Sequence, residues 1–251
     1  MSKNGIVNPN LSSNAIGFIN DFGGGLLYTC GLDNIGVPRD GYIQHGSISY
    51  MPANHINISN GFEEDDYYVK VSGEVEYTSL FGHHLVLHRT IKLLYNKPHI
   101  FIEDQIENRN QQDDQYMLMY HMNFGYPFIN EKTKLNINRI SHTDIFNQDQ
   151  SRTYSNHLEL EKPIVKKSEE VFIHTLYKGD VDVNVINQED GVNIQFNSER
   201  LKYMTEWKSM ASGDYVLGIE PATTKLSDRA YTPIKPYDIH NYRLEIIFYK
   251  K

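Results

Sequence analysis

The feature that most constrains this fold is an alternation of apolar and polar residues with a period of two. In the run YYVKVSGEVEY (67–77), Val69, Val71, Gly73, Val75 and Tyr77 share one face and mostly polar residues the other. That is the pattern of a half-buried strand. A turn-like segment at 79–82 leads into HLVLHRTIKLLY, where Leu85, Leu87, Arg89, Ile91 and Leu93 remain in phase. The Asn96-Lys97-Pro98 corner follows, because proline cannot donate into a central ladder and favours turns. HIFIEDQIEN then makes a third strand, so the three form a meander. Further strands are expected at 115–124, 170–177, 181–186, 193–196, 214–220 and 242–249. No segment sustains a helical period between caps over three turns. Many short strands separated by turn signals predict an all-β sandwich or a related two-layer architecture. At 251 residues such a sandwich is commonly one domain, and residues 1–251 are expected to form one. The most polar connection, 162–170, reads as a solvated loop.

Charge and composition narrow the partners. A net charge of -8 with 24 scattered Lys and Arg residues repels phosphate backbones, so nucleic acid is not an expected partner. The longest apolar stretches, such as 215–219, hold a handful of residues, whereas a membrane helix needs about 20. No membrane span is expected. The first twenty residues show no basic region followed by an apolar run, and the expected location is the cytoplasm. Cys30 is the only cysteine; it rules out an intramolecular disulfide framework, cannot make a zinc site alone, and suits a buried small apolar position. Aromatic residues at 12%, with 18 tyrosines, suit strands and sugar recognition equally.

Two segments carry chemistry. In QYMLMYHMNFGYP, Tyr116, Leu118, Tyr120, Met122 and Phe124 alternate with Met117, Met119, His121 and Asn123 before Gly125 and Pro127 break the strand. His121 and Asn123 therefore leave the strand together, opposite the heavier aromatic stripe. A lone histidine is as readily a satisfied core residue as a catalytic one, so His121 needs a partner. GDYVLGIEPATT offers Glu220, held extended by the following Pro221, which is expected to end the ladder. A carboxyl among apolar neighbours loses solvation, and its pKa rises toward general-base values. His45 precedes Gly46 and a strand-like alternation, and Trp207 is the single tryptophan. An aromatic face can stack on a pyranose ring, though core packing explains a tryptophan equally well. Metal and nucleotide chemistry find no support. His84 and His88 share a strand face but lie about 13 Å apart at strand rise. The run Gly23-Gly24-Gly25 lacks the lysine and Ser/Thr of a phosphate loop, and no nucleophile elbow is present.

The strings GGGLLYTCGLDNIG, HGSISYMPA, YHMNFGYPF and GDYVLGIEPAT, with SGEVEY and FGHHLVLHRTI between them, run in order over nearly the whole chain. They resemble a bacterial, DUF4432-like branch of the aldose 1-epimerase (galactose mutarotase-like) superfamily. The resemblance implies a mutarotase-like β-supersandwich with a sugar site across one sheet and no cofactor or metal. It also implies that Glu220 takes the anomeric hydroxyl proton while His121 protonates the ring oxygen. His45 matches a sugar-binding histidine; Asn123, Trp207, Arg89 and Asp33 complete the expected substrate contacts. Two departures stand out. Ser47 occupies a position where relatives often carry arginine after the HG pair. Relatives also usually have additional strands before the segment resembling GIVNPN. An edge left open there is expected to be covered by self-association as a homodimer. The expected activity is anomer interconversion on a small carbohydrate; a noncatalytic sugar-binding module on the same fold is the alternative.

Overall fold

The computed structural model describes residues 25–146, 157–188 and 190–250. Their strands form two antiparallel sheets. In the first sheet the spatial order is β1 (Leu27–Leu32), β6 (Asp114–Gly125), β13 (Val216–Ala222), β12 (Tyr203–Ser209), β9 (Glu170–Leu176) and β8 (Ile140–Ile145). A short β14 (Thr232–Ile234) also pairs with β6. The second sheet runs β2 (Asn54–Glu63), β3 (Asp66–Thr78), β4 (His84–Leu94), β5 (His99–Asn108), β15 (Ile239–Lys250), β11 (Asp190–Asn197), β10 (Asp180–Asn187) and β7 (Lys134–Ile137). Among the described residues no helix is long and apolar enough to cross a membrane.

The alternation explains the layers. Leu118, Tyr120, Met122 and Phe124 of β6, with Leu217 and Ile219 of β13, are buried against Leu85, Leu87, Ile102, Ile106, Leu244 and Ile246 of the second sheet. Each such side chain contributes about 1.5–3 kcal/mol on burial, so this stripe sets which face turns inward. The opposite face of β6 carries a smaller cluster in which Met117 and Met119 pack with Cys30, Ile35 and Ala222. Cys30 is fully buried, as its free thiol suggested. The β3–β4–β5 meander is present.

Several elements differ from expectation. β12 is absent from the sequence pattern because Glu206 and Lys208 occupy the positions where an inner face should be apolar. β2 escapes notice because almost all of it is exposed, and β1 is interrupted by Gly31 at φ +132°. The short β7, β8 and β14 carry too few residues to show a period. The alternation after Gly46 is not a strand but a 3-10 turn, Ile48–Tyr50. His45 and Gly46 both have positive φ (61° and 78°), which turns the chain there. Pro221 does not end β13: the strand continues through it to Ala222, paired with β12. The apolar face expected along β3 faces inward, yet Val69 and Val71 remain 42% and 41% exposed. The first sheet does not extend over them. The expectation of an open N-terminal edge, and Gly23 and Gly24 of the glycine run, fall outside the described residues.

Candidate active site

The register of β6 against β13 builds the site. Ile219 pairs with Met122 and Ala222 with Met119, so the intervening positions put His121 directly across from Glu220. Both project from the outer face of the first sheet, away from the main core. Cross-strand neighbours stand close enough for side chains to meet, and His121 Nε2 lies 3.0 Å from Glu220 Oε1. On the far side of β6, Tyr28 of β1 faces His121. On the far side of β13, Thr205 faces Glu220 and Trp207 faces Gly218. Gly218 is the floor of the group. A Cβ there would stand 2.8 Å from Glu220 Oε1 and 3.2 Å from both His121 Cε1 and Trp207 Cε3. Its φ is not in the left-handed region, so glycine serves here to admit three converging side chains rather than a special backbone conformation.

His45 reaches the same place from the loop after β1. Its ring lies edge-on to His121 with centroids 5.4 Å apart, and the Trp207 ring approaches His121 at 5.7 Å. His45 Nδ1 accepts a hydrogen bond from Gly36 N at 3.3 Å. Asn123, one turn of the pleat along β6, donates to the carbonyls of Gly25 and His121 at 3.4 and 3.3 Å. Thus His121, Glu220, His45, Asn123 and Trp207 are brought together. His121 and Glu220 are almost buried, while Asn123, Trp207, His45 and Tyr28 are half-buried around them.

Two expected contacts are not brought there. Arg89 lies on the inner face of β4, where its guanidinium donates to both oxygens of Asp104 at 2.8 and 2.6 Å and to Thr29 Oγ1 at 2.7 Å. Tyr120 also donates to Asp104. Its phase on β4 points Arg89 between the sheets, and its donors are spent on a buried carboxylate. Asp33 is buried and accepts from Ser47 N at 2.9 Å and Ser47 Oγ at 2.6 Å. It holds the loop that presents His45 and does not face the site. Ser47, which follows the His45-Gly46 pair, is its partner.

Burial sets the protonation states. The Glu220 carboxyl is pushed well above the ordinary carboxylate range by desolvation, with the nearby Glu169 carboxylate adding to the shift. Burial lowers His121 to about 3, His45 contributing, and lowers His45 to about 4. Both shifts favour the neutral forms of the His121–Glu220 pair, with a shared proton held by the carboxyl in preference to the imidazole. His121 Nδ1 is buried and has no hydrogen-bond partner among the described residues.

A second polar cluster, invisible in the sequence, lies on the inner face of the same sheet. His157 Nδ1 and His174 Nε2 meet Glu206 Oε2 at 2.9 and 3.1 Å, and these three side chains offer metal-ligand atoms within 4.8 Å of one another. The Lys208 ammonium, fully buried, stands 2.7 Å from Glu206 Oε1 and donates to the carbonyls of His157 and Glu159. Thr143 Oγ1 meets His174 Nδ1 at 2.8 Å. Burial alone would raise the Glu206 pKa, but Lys208 and the two imidazoles hold it far below the ordinary range. Glu206, ion-paired with Lys208 and hydrogen-bonded by the two imidazoles, is thus the centre of a buried polar network. It anchors β12 from beneath while Trp207 and Thr205 face the site.

Two antiparallel sheets, with a His–Glu pair on the outer face of one, define a galactose mutarotase-like β-sandwich. The chain belongs to the family described as "Domain of unknown function (DUF4432)", which matches residues 1–234. No protein of curated function matches the sequence. Among solved structures, a candidate aldose 1-epimerase of Klebsiella pneumoniae is similar at TM-score 0.87 and 22% identity, over 97% of this chain and 68% of that one. A galactose mutarotase-like protein of Clostridium acetobutylicum follows at TM-score 0.62 and 14% identity, over 90% and 78%. At these identities the likeness establishes the fold.

Proposed function

We propose that the protein binds a small carbohydrate on the outer face of the first sheet and interconverts its anomers, acting as one domain. The observation that carries this reading is the 3.0 Å contact between His121 and Glu220: a base and an acid of one pair, sharing one proton, beside a half-buried indole. Ring opening needs that proton count. The proton crosses from Glu220 to His121 as sugar hydroxyls resolvate the carboxylate. Glu220 then takes the O1 proton while His121 protonates the ring oxygen; the C1–O5 bond breaks and C1=O1 forms. Rotation about C1–C2 and reclosure with the roles reversed give the other anomer. His121 Nδ1, His45, Asn123 and Trp207 surround the sugar.

Noncatalytic binding is favoured by one observation: the two groups already satisfy each other, so a sugar must separate them to be turned over. Exchange NMR between α and β anomers distinguishes the readings. The catalytic reading expects wild-type protein to accelerate exchange and Glu220→Gln to lower it by about 10²-fold or more while Trp207 fluorescence still reports binding. His121→Gln should behave likewise, and the double variant little worse than either. Binding without acceleration by wild type overturns it in favour of the binding module.

A further inference from the structure

Among the described residues the second sheet ends on β2, and its last three strands present an apolar surface where the core should continue. Ile56, Ile58 and Phe62 of β2, Val69 and Val71 of β3 and Leu93 of β4 are between 41% and 75% exposed. They lie on the inner face: Ile58 is opposite Val71, which is opposite Ile91, and Val69 is opposite Leu93. Farther along these strands the same face carries Leu85 and Leu87 of the core. Together the six side chains expose on the order of 600 Å² of apolar surface, the upper end of what a monomer leaves open. A stable interface takes about 800 Å² from each partner, so this face with its rim has the necessary size.

The edge itself is unguarded. Natural edge strands are blunted by lysine, proline or inward-pointing charge. β2 (NHINISNGFE) has no Lys, Arg or Pro, and its one formal charge, Glu63, stands at its last residue, paired with Lys92 at 2.7 Å. The chain as a whole carries -8, which opposes bringing two copies together anywhere that acidic surface is juxtaposed. From 54 to 62 the edge is free of formal charge with histidine neutral, so the strand can lie beside its own copy without repulsion.

We propose that this face is the seat of a second copy of the chain, related by a two-fold axis, with the exposed aliphatic stripes of the two copies packed face to face beside β2. A two-fold interface sets the same patch against itself, and an apolar face bordered by an edge strand free of formal charge meets that requirement.

Sedimentation velocity over a range of concentrations, with hydrogen exchange read at β2, tests the proposal. Wild-type protein should sediment as a dimer, and the β2 amides should exchange more slowly than at dilutions where it is monomeric. Ile58→Lys, a change at an exposed position that puts on this edge the charge other edges carry, should keep the circular dichroism spectrum and raise the dimer dissociation constant by about 100-fold. Its β2 amides should then exchange rapidly. Val165→Lys, on exposed surface elsewhere, should leave the dimer intact. A wild-type monomer at every concentration overturns the proposal, whether its β2 amides exchange freely or are protected by another segment or protein. So does a dimer that survives both Ile58→Lys and Phe62→Lys.

Discussion

His121 and Glu220 touch because the β6–β13 ladder keeps one register on both sides of Pro221. Proline removes an N–H from that ladder, yet Ile219↔Met122 and Ala222↔Met119 hold the strands in phase, and the unpaired stretch between them is where the acid and the base face each other. This pair and the polar network on the other face of the sheet yield four expectations.

Gly218→Ala sets two effects against each other. Replacing glycine within a strand stabilises by about 0.5–1 kcal/mol from backbone entropy. A Cβ at this position, however, meets Glu220, His121 and Trp207 at 2.8–3.2 Å. The protein should stay folded by circular dichroism while anomer exchange falls by at least about 10-fold, because the pair is pushed apart. Unchanged exchange would mean that these three groups do not act together.

Asp33→Ala removes both hydrogen bonds to Ser47 and leaves its half-buried N–H without that acceptor, a cost of about 1 kcal/mol. The His45 loop loosens and the His121–Glu220 contact stays. Sugar affinity, followed by Trp207 fluorescence, should weaken while the maximal exchange rate changes little. A fall in the maximal rate alone would place Asp33 in the chemistry.

Stability should bend with pH on both sides. His45 and His121 are held neutral, at about 4 and about 3 against an ordinary 6.5, so between these values the unfolded chain binds more protons. Stability is then lost as pH falls below about 6.5. Glu220 acts oppositely: its folded pKa lies above 4.5, the native state holds the extra proton, and stability declines as pH rises through that window. In urea melts at a series of pH values, His45→Gln should flatten the acid limb and Glu220→Gln the other. Parallel curves for wild type and variants would contradict these protonation states.

Lys208→Met strands the Glu206 carboxylate in the core and should cost about 3–5 kcal/mol. At about 2–4 °C per kcal/mol for a chain of this size, thermal denaturation should begin roughly 10 °C lower. Adding Glu206→Gln removes the orphaned charge and should recover part of the loss. A double variant as unstable as the single one would show that packing, not charge, is what Lys208 contributes.

The sequence by itself determined the strands whose two faces meet different solvents. Period two at 67–77 and 115–124 specified which residues turn inward, and that placed His121 and Asn123 together on the outer face of β6 before any contact was known. It determined the extended conformation at Glu220 and the burial of Cys30 for equally local reasons. Tertiary structure decided what local pattern cannot encode. β12 buries Glu206 and Lys208 where alternation demands apolar residues; their own ion pair, the imidazoles of His157 and His174 and the carbonyls of His157 and Glu159, from distant points of the chain, make that tolerable. Arg89 has the phase of a core residue, and Asp104 on the neighbouring strand decides that its charge is spent between the sheets. Asp33 lies near His45 in space, but Ser47 takes both of its oxygens. Partners distant in sequence set these roles, and the register that joins His121 to Glu220 exists only once β6 and β13 lie side by side.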